Sequence, residues 1–467
     1  MRDRGLLARL DPATRRALLE AAGRAAKPTA QERRRLAKAL RKRDREEKMR
    51  ADQSVLDGTG IRAARRAPIF TLPELPSGEP PPRGSVGSDR KCYVCKQAYR
   101  EIHHFYDQLC PPCAELNWAK RHQSADLSGR VALVTGARVK IGYHAALKLL
   151  RAGCHVAVTT RFPRDAAGRY ASEADFDAWR GRLEIHGLDL RHTPSVEAFC
   201  QSFLQSHDRL DFILNNACQT VRRPPGFYRH LMDQERAELP ARARPLVASY
   251  ERARELSHAG AIAARGLISP AELSQVPLLT EDLREELSLF PRGKLDADLQ
   301  QIDLRAHNSW RLTLAEVPTL ELLEVQLVNA IAPFVLDARL KPRRLAVPTP
   351  DKHIVNVSAM EGQFYREHKT DRHPHTNMAK AALNMLTRTS AADYVKDGIH
   401  MNSVDTGWIT DEDPAHLAEA KRREHRFHPP LDVVDGAARI VAPIFDGFLT
   451  GEHPWGLFLK DYRPAPW

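Results

Sequence analysis

The sequence predicts an α/β fold, a doubly wound parallel sheet covered by helices on both faces, in a chain of 467 residues. Three observations predict it. From Arg130 onward, short apolar runs such as Val131–Thr135 and HVAVTTRF alternate with helical patterns, the rhythm of βαβ units. The first run passes through a glycine turn, Gly136 to Gly142, into the helical segment YHAALKLLRAG, and such a strand–turn–helix sets a pyrophosphate at a helix N-terminus. Ahead of it, Cys92–Cys95 and Cys110–Cys113 form two CxxC pairs with 14 residues between them. The expected organisation is a Rossmann-type domain over 127–467 with a zinc-ribbon-like module over 91–122.

Residues 1–50 read as a basic arm of two helices. Asp11-Pro12 gives a cap followed by proline at the first helical position, and Thr29 with Glu32 forms a capping box. These 50 residues hold 17 Lys/Arg against 7 Asp/Glu, so the arm carries +10 of the net +12 and the catalytic body is close to neutral. Two readings stand: a solvated helix, or an arm for nucleic acid or another acidic partner. No aromatic residue precedes Phe70, which argues against base stacking. Residues 51–90, with PIFTLPELPSGEPPPRGSVGS, read as an extended Pro/Gly-rich linker. The opening MRDRGLLARLDPATRR carries charges inside its apolar stretch, so it does not read as a secretory signal, and no run of membrane-span length is read. A cytoplasmic protein is expected.

Seven cysteines, four of them in two tight pairs, argue against a disulfide framework and for a reducing compartment. Two knuckles brought together complete a tetrahedron of thiolates, which suits structural zinc held by Cys92, Cys95, Cys110 and Cys113 and leaves no coordination position for substrate. His103 and His104 lie between the knuckles as the alternative ligands.

The glycine turn is one of a series of matches in order. Thr135-Gly136-Ala-Arg-Val-Lys140-Ile141-Gly142 is followed by Thr160-Arg161 at the second strand's end, Gly187-Leu-Asp189-Leu190 after the third, Asn215-Asn216-Ala217-Cys218 after the fourth, Asn329 in VQLVNAIAPF, and Asn402 before Thr406-Gly407. In this series the chain resembles the short-chain dehydrogenase/reductase family from about Arg130 to the C-terminus. The resemblance implies a nicotinamide dinucleotide over Thr135, Gly136, Lys140, Ile141 and Gly142. Asp189 and Leu190 would lie at the adenine, Asn216 and Ala217 in the family's NNAG position, and Thr406 and Gly407 at the nicotinamide end. Lys140 stands where the family has a glycine; it either pairs with a phosphate or crowds the backbone approach. Arg161 stands where NAD-preferring members carry an acid, and its cation suits a 2′-phosphate, so NADP is read over NAD.

The resemblance further implies a Ser, Tyr and Lys at the reacting carbonyl. Lys380 matches the lysine, which holds the nicotinamide ribose, and Asn329 the helix asparagine that supports the proton relay. Four residues before Lys380 stands Thr376, not Tyr, and the serine position reads Ser358-Ala359. A threonine hydroxyl is a poor acid at neutral pH. The substitutes within reach are Tyr365, which with Lys369 makes a second YxxxK spacing, His373 and His375; the remaining reading is no donor of this kind.

Between Asn216 and Asn329 lie 112 residues, so a helical insertion of about 221–317 leaves the ligand edge of the sheet as a lid, a partner surface or a peripheral decoration. The expected function is an NADP-dependent oxidoreductase acting on a carbonyl/alcohol pair of a small-molecule substrate. The alternatives are a non-catalytic NADP-binding protein and a nucleic-acid-associated protein. Family members often pair through helices, so a homo-oligomer is expected unless the insertion or the zinc module blocks it. The aromatic C-terminus, GLFLKDYRPAPW, would close over the site or over a neighbouring subunit.

Overall fold

The structure, a computed structural model, describes residues 4–66, 84–258, 268–283, 288–291, 293–296, 298–365, 369–410, 412–425 and 428–467. Helices α1 (Pro12–Ala26) and α2 (Ala30–Asp57) form the arm, each started by the cap the sequence carries: Asp11 accepts from Ala13 and Thr14, and Thr29 exchanges bonds with Glu32. Both helices are exposed along nearly their whole length, and Leu56 is the buried residue of α2.

The linker expectation for 51–90 is corrected at both ends. Helix α2 runs on to Asp57, α3 spans Gly60–Arg66, and β1 (Gly84–Lys91) pairs antiparallel with β2 (Ala98–Ile102); residues 67–83 lie outside the described ones. Leu56, Ile61 and Val86 are apolar, and they pack with Cys92, Tyr99, Phe105 and Cys110 into the core of the cysteine module. Burying them there outweighs the linker-like composition around them.

The main sheet has eight strands in the order β10-β9-β8-β7-β6-β3-β4-β5, parallel from β9 to β5, with β10 antiparallel at the edge. Its strands are β3 (Val131–Thr135), β4 (His155–Thr160), β5 (Leu183–Gly187), β6 (Phe212–Asn215), β7 (Lys352–Ser358), β8 (Ile399–Asp405), β9 (Phe458–Lys460) and β10 (Arg463–Ala465). Every residue of β7 is buried, as a central strand covered on both faces requires. One core lies under α5 (Lys140–Arg151) and α11 (Val433–Thr450), the other under α7 (Thr193–Ser206) and α9 (Thr319–Arg339). Helix α9 has the length and hydropathy of a membrane span but contributes Val325, Ala332, Val335 and Leu336 to the protein core. The C-terminal segment becomes the β9–β10 hairpin at the sheet edge.

Among its described residues the longer helices of the insertion lie in its first part, α8 (Pro225–Arg236) and the helix Ala248–His258; a short helix, Pro270–Leu273, capped by Ser269 through the Glu272 N–H, and brief turns follow. Pro277, Pro291 and Gly293 punctuate the segment after it and disfavour a long helix there. Helix α10 (Pro374–Tyr394) returns the chain to the sheet.

Candidate cofactor cleft and active site

The strand order reverses beside β3, which has β4 on one side and β6 on the other. Ligands bind open α/β sheets at such a crevice. The turn after β3 closes tightly against the loop after β6. Asn216 donates from Nδ2 to the carbonyls of Thr135 and Gly136 at 3.0 and 3.1 Å, and the Ala217 N–H donates to Thr135 Oγ1 at 3.0 Å. A Cβ on Gly142 would stand 2.3 Å from Asn216 Nδ2 and 2.5 Å from the Gly136 carbonyl. Lys140, at the middle glycine position of the family pattern, keeps the glycine backbone with φ at 55°. A left-handed conformation costs an L-residue about 1–2 kcal/mol. Its ammonium faces two covering segments, since its charge acts on Asp298 of the insertion and on Glu412 beyond β8. Burial pushes the Asp298 carboxyl above its ordinary range, and Lys140 opposes that rise.

Gly136, Lys140, Ile141 and Gly142 line a cleft of about 940 Å³ together with Arg161, Asp189, Leu190, Asn216 and Ala217. Arg62 and Arg65 of α3 close one side, and Asp296, Asp298 and Gln300 to Asp303 of the insertion another. The insertion is pinned there: Arg169 donates to the Asp298 and Leu299 carbonyls at 2.9 and 3.2 Å. Arg161 donates to the Tyr228 hydroxyl at 2.6 Å and lies 4.4 Å from the centre of its ring. Asp189 is buried and already engaged, accepting from the Arg191 guanidinium at 2.6 Å. Burial works against its ionisation, but the Arg191 hydrogen bonds and charge prevail and hold the carboxyl below its usual range.

The other sequence-named residues do not line the cleft. Thr135 and Asn329 fix its walls. Asn329 lies in a π-helical turn, 327–331, of α9, and its side chain accepts from the Gln219 N–H at 2.8 Å and donates to the Gln219 carbonyl at 3.2 Å. Such turns recur at functional sites. Thr406 and Gly407 follow β8, where the Gly407 N–H donates to Asp405 at 2.6 Å. Lys380 is buried on α10 and donates from Nζ to the Val357 carbonyl at 2.7 Å. The hydroxyls of Thr376 and Ser358 are buried and find no hydrogen-bond partner.

The substitute donors fare differently. Tyr365 is 96% exposed, whereas Lys380 is buried. His373 caps α10 in a left-handed conformation with its ring stacked on Trp310 at 3.9 Å, and burial lowers its pKa. His375 is buried with Nε2 3.4 Å from Glu321. None of the three lines the cleft.

The four cysteine sulfurs lie within 4.8 Å of one another, a donor set that fits a tetrahedral soft-metal site. Lys96 turns the first knuckle at φ 63°, and Cys92 Sγ accepts from the Cys110 N–H at 3.3 Å. His103 instead caps its own loop, accepting from Phe105 and Tyr106 at Nδ1. The module is built into the main domain. The Tyr93 hydroxyl accepts from the Trp408 N–H at 2.9 Å, Tyr106 donates to Asp435, and Arg121 grips Asp432 at 2.7 and 2.9 Å.

Sequence reasoning missed Tyr228, Tyr93 and Arg138. Arg138 carried a signal, a cation inside the glycine turn itself; it is buried and paired with Asp165 at 2.7 Å. Tyr228 and Tyr93 carried none, because their partners lie 67 and 315 residues away.

A short chain dehydrogenase model matches residues 130–235, and an enoyl-(acyl carrier protein) reductase model matches 294–431. An uncharacterised protein of Acanthamoeba polyphaga mimivirus is 31% identical over 374 residues, covering 77% of this chain and 72% of that protein. Retinol dehydrogenase 14 of Mus musculus is 36% identical over 114 residues, 22% of this chain and 34% of the relative, so this chain spans about a third of that relative's length. A short-chain type dehydrogenase/reductase structure from Mycobacterium marinum aligns with a TM-score of 0.45 at 16% identity, over 74% of this chain and 96% of that one. The two models match the chain before and after residues 236–293, over the strands and turns that form the cleft, and the chain belongs to the short-chain dehydrogenase/reductase family.

Proposed function

We propose that the protein is a cytoplasmic NADP-dependent oxidoreductase acting on a carbonyl/alcohol pair of a small molecule. The observation that carries this reading is Arg161 at the end of β4, where its guanidinium lines the cleft at the ribose end. NAD recognition favours a carboxylate at that position, whereas a 2′-phosphate favours a cation. Gly142 lets the turn close on the Asn216 side chain and the Gly136 carbonyl, since a Cβ there would collide with both, and this closure sets the α5 N-terminus at the cleft, where a pyrophosphate would be held. NADP, when bound, supplies or accepts the hydride.

The chain's own residues would act as follows. The α5 N-terminus would hold the pyrophosphate, with Lys140 either pairing with it or crowding the turn, and Arg161 the 2′-phosphate. Asp189 and Leu190 border the adenine, and Asn216 and Ala217 keep the turn closed. Thr406 and Gly407 border the nicotinamide end. Lys380 holds the ribose, and Asn329, bonded to Gln219, positions the relay. Ser358 and Thr376 occupy the positions of the carbonyl-polarising and proton-donating groups. Cys92, Cys95, Cys110 and Cys113 would hold a structural zinc. Titration of the zinc-loaded protein with NADPH and NADH tests the reading: tight NADPH binding that weakens in Arg161→Ala supports it, and no binding of either dinucleotide refutes it.

A second reading, a non-catalytic NADP-binding protein, is favoured by one observation. The Thr376 and Ser358 hydroxyls are buried without partners and outside the cleft lining. Lys380→Met separates the two: an enzyme loses turnover on a substrate found by screening, and a binding protein loses cofactor affinity with no turnover to lose.

A further inference from the structure

We infer that Tyr228, supplied by the insertion, sets the preference for the 2′-phosphorylated dinucleotide by holding Arg161 in place; the inference rests on the NADP reading above. Arg161 follows β4 with a long, flexible side chain, and an isolated surface arginine would lose rotamer freedom on gripping a phosphate. Here that freedom is already removed. Tyr228 lies under the guanidinium at 4.4 Å and accepts its Nη2 proton at 2.6 Å, so one ring supplies both a stacking face and a hydrogen-bond acceptor. The neighbouring Phe162 ring, 5.8 Å from the same guanidinium, extends the apolar floor.

Tyr228 is in turn held rigidly. It sits on α8, buried in a cluster with Phe162, Phe227, Leu231, Met232 and Ala271, and its ring lies 5.3 Å from Phe162. Helix α8 packs on α6 (Pro163–Ala171), the helix that follows β4. A Glu235–Asp165 bond of 2.8 Å fastens the two, the Asp165 N–H donating. The insertion therefore reaches back from the far side of β6 to brace the residue at the end of β4. The fork this creates faces the cleft beside Asp189, whose carboxylate feels the Arg161 charge. A dianionic phosphate gains more from a pre-oriented guanidinium than a ribose hydroxyl does, so the bracing acts on the phosphorylated cofactor selectively.

The test is direct titration of wild type, Tyr228→Phe and Tyr228→Leu with NADPH, NADH, adenosine 2′,5′-bisphosphate and 5′-AMP. The two adenosine probes read the same end of the site without nicotinamide or turnover. Tyr228→Phe keeps the stack and deletes the acceptor. It should weaken NADPH and the bisphosphate about fivefold, and Tyr228→Leu about twentyfold, with NADH and 5′-AMP within about twofold of wild type. Equal loss for all four ligands would make Tyr228 a structural residue and overturn the inference. Unchanged NADPH affinity in both variants would overturn it as well. If wild type itself binds NADPH no better than NADH, the NADP reading falls and the inference with it; selective wild-type binding with unaltered variants removes the inference alone.

Discussion

The Tyr93 hydroxyl, one residue past the first knuckle cysteine, accepts a 2.9 Å hydrogen bond from the backbone N–H of Trp408, one residue past Gly407. The same hydroxyl stands 3.4 Å from where a Cβ on Gly407 would lie. Ile409 and Leu431 share a core with Cys92 and Cys110. The thiol cluster therefore backs the segment that follows β8, and Ile409 in that segment lines the cleft. Chelating the zinc proposed for the four thiolates should loosen the knuckle and this wall together. We expect NADPH affinity to fall on chelation and to recover on adding zinc. Tyr93→Phe, which removes this hydrogen bond, should lower stability by about 1 kcal/mol with zinc content unchanged. Affinity indifferent to chelation, measured by cofactor titration with and without a zinc chelator, would sever the link.

Lys140→Gly separates the two roles open to that residue. Glycine removes a left-handed strain of about 1–2 kcal/mol and adds about 0.5–1 kcal/mol of chain entropy to be lost on folding. Denaturant melting should therefore show a variant no less stable than wild type. The ammonium that faces Asp298 and Glu412 disappears with the side chain. If it pairs with phosphate, NADPH binding weakens, and we expect a loss of about three- to tenfold. Tighter binding in the glycine variant would mean that the side chain crowds the turn.

Gly142→Ala should be severe. Its methyl would fall 2.3 Å from Asn216 Nδ2 and 2.5 Å from the Gly136 carbonyl, and the carbonyl cannot swing aside as a flexible side-chain end would. A destabilisation of about 1–3 kcal/mol is expected, with NADPH binding lost because the turn and the Asn216 loop must part. Thermal melting and titration of the same preparation check both halves.

What could be read from the sequence divides along physical lines. The βαβ rhythm, the glycine turn, Arg161 and the paired cysteines are local patterns, carried within a few residues of chain, and the sheet order and the sulfur cluster agree with them. The linker reading failed at 51–66 and 84–90 because composition there is linker-like while three apolar residues, Leu56, Ile61 and Val86, decide the structure by burial in a distant core. The bracing of Arg161 by Tyr228 and of Trp408 by Tyr93 was invisible, since each depends on where an insertion or module folds back. Among the candidate proton donors, spacing alone admitted Tyr365; it is exposed, whereas Lys380 is buried.

Away from the cleft, buried His353 packs against two half-buried histidines. Its Nε2 lies 2.8 Å from Nδ1 of His453, and the His400 ring is centred 5.3 Å away. Burial holds the His353 pKa well below 6.5, with His400, His453 and Arg344 adding repulsion, so the folded state keeps it neutral while the unfolded chain protonates it near 6.5. The unfolded state then binds more protons below that value, and stability must fall as the pH drops from 6.5, by about 1.4 kcal/mol per pH unit for one fully buried histidine. Asp337 acts in the opposite sense. Burial raises its carboxyl to about 7, so it is protonated in the folded state and favours folding increasingly as the pH falls from 7 toward 3.8. Total stability thus mixes two signs, and the difference between wild type and His353→Gln isolates one of them. Urea unfolding at pH 7.5, 6.5, 5.5 and 5.0 should show wild type losing ground to the variant below pH 6.5 and running parallel to it above. Parallel curves across the whole range would mean that His353 protonates in the folded protein as readily as in the unfolded chain.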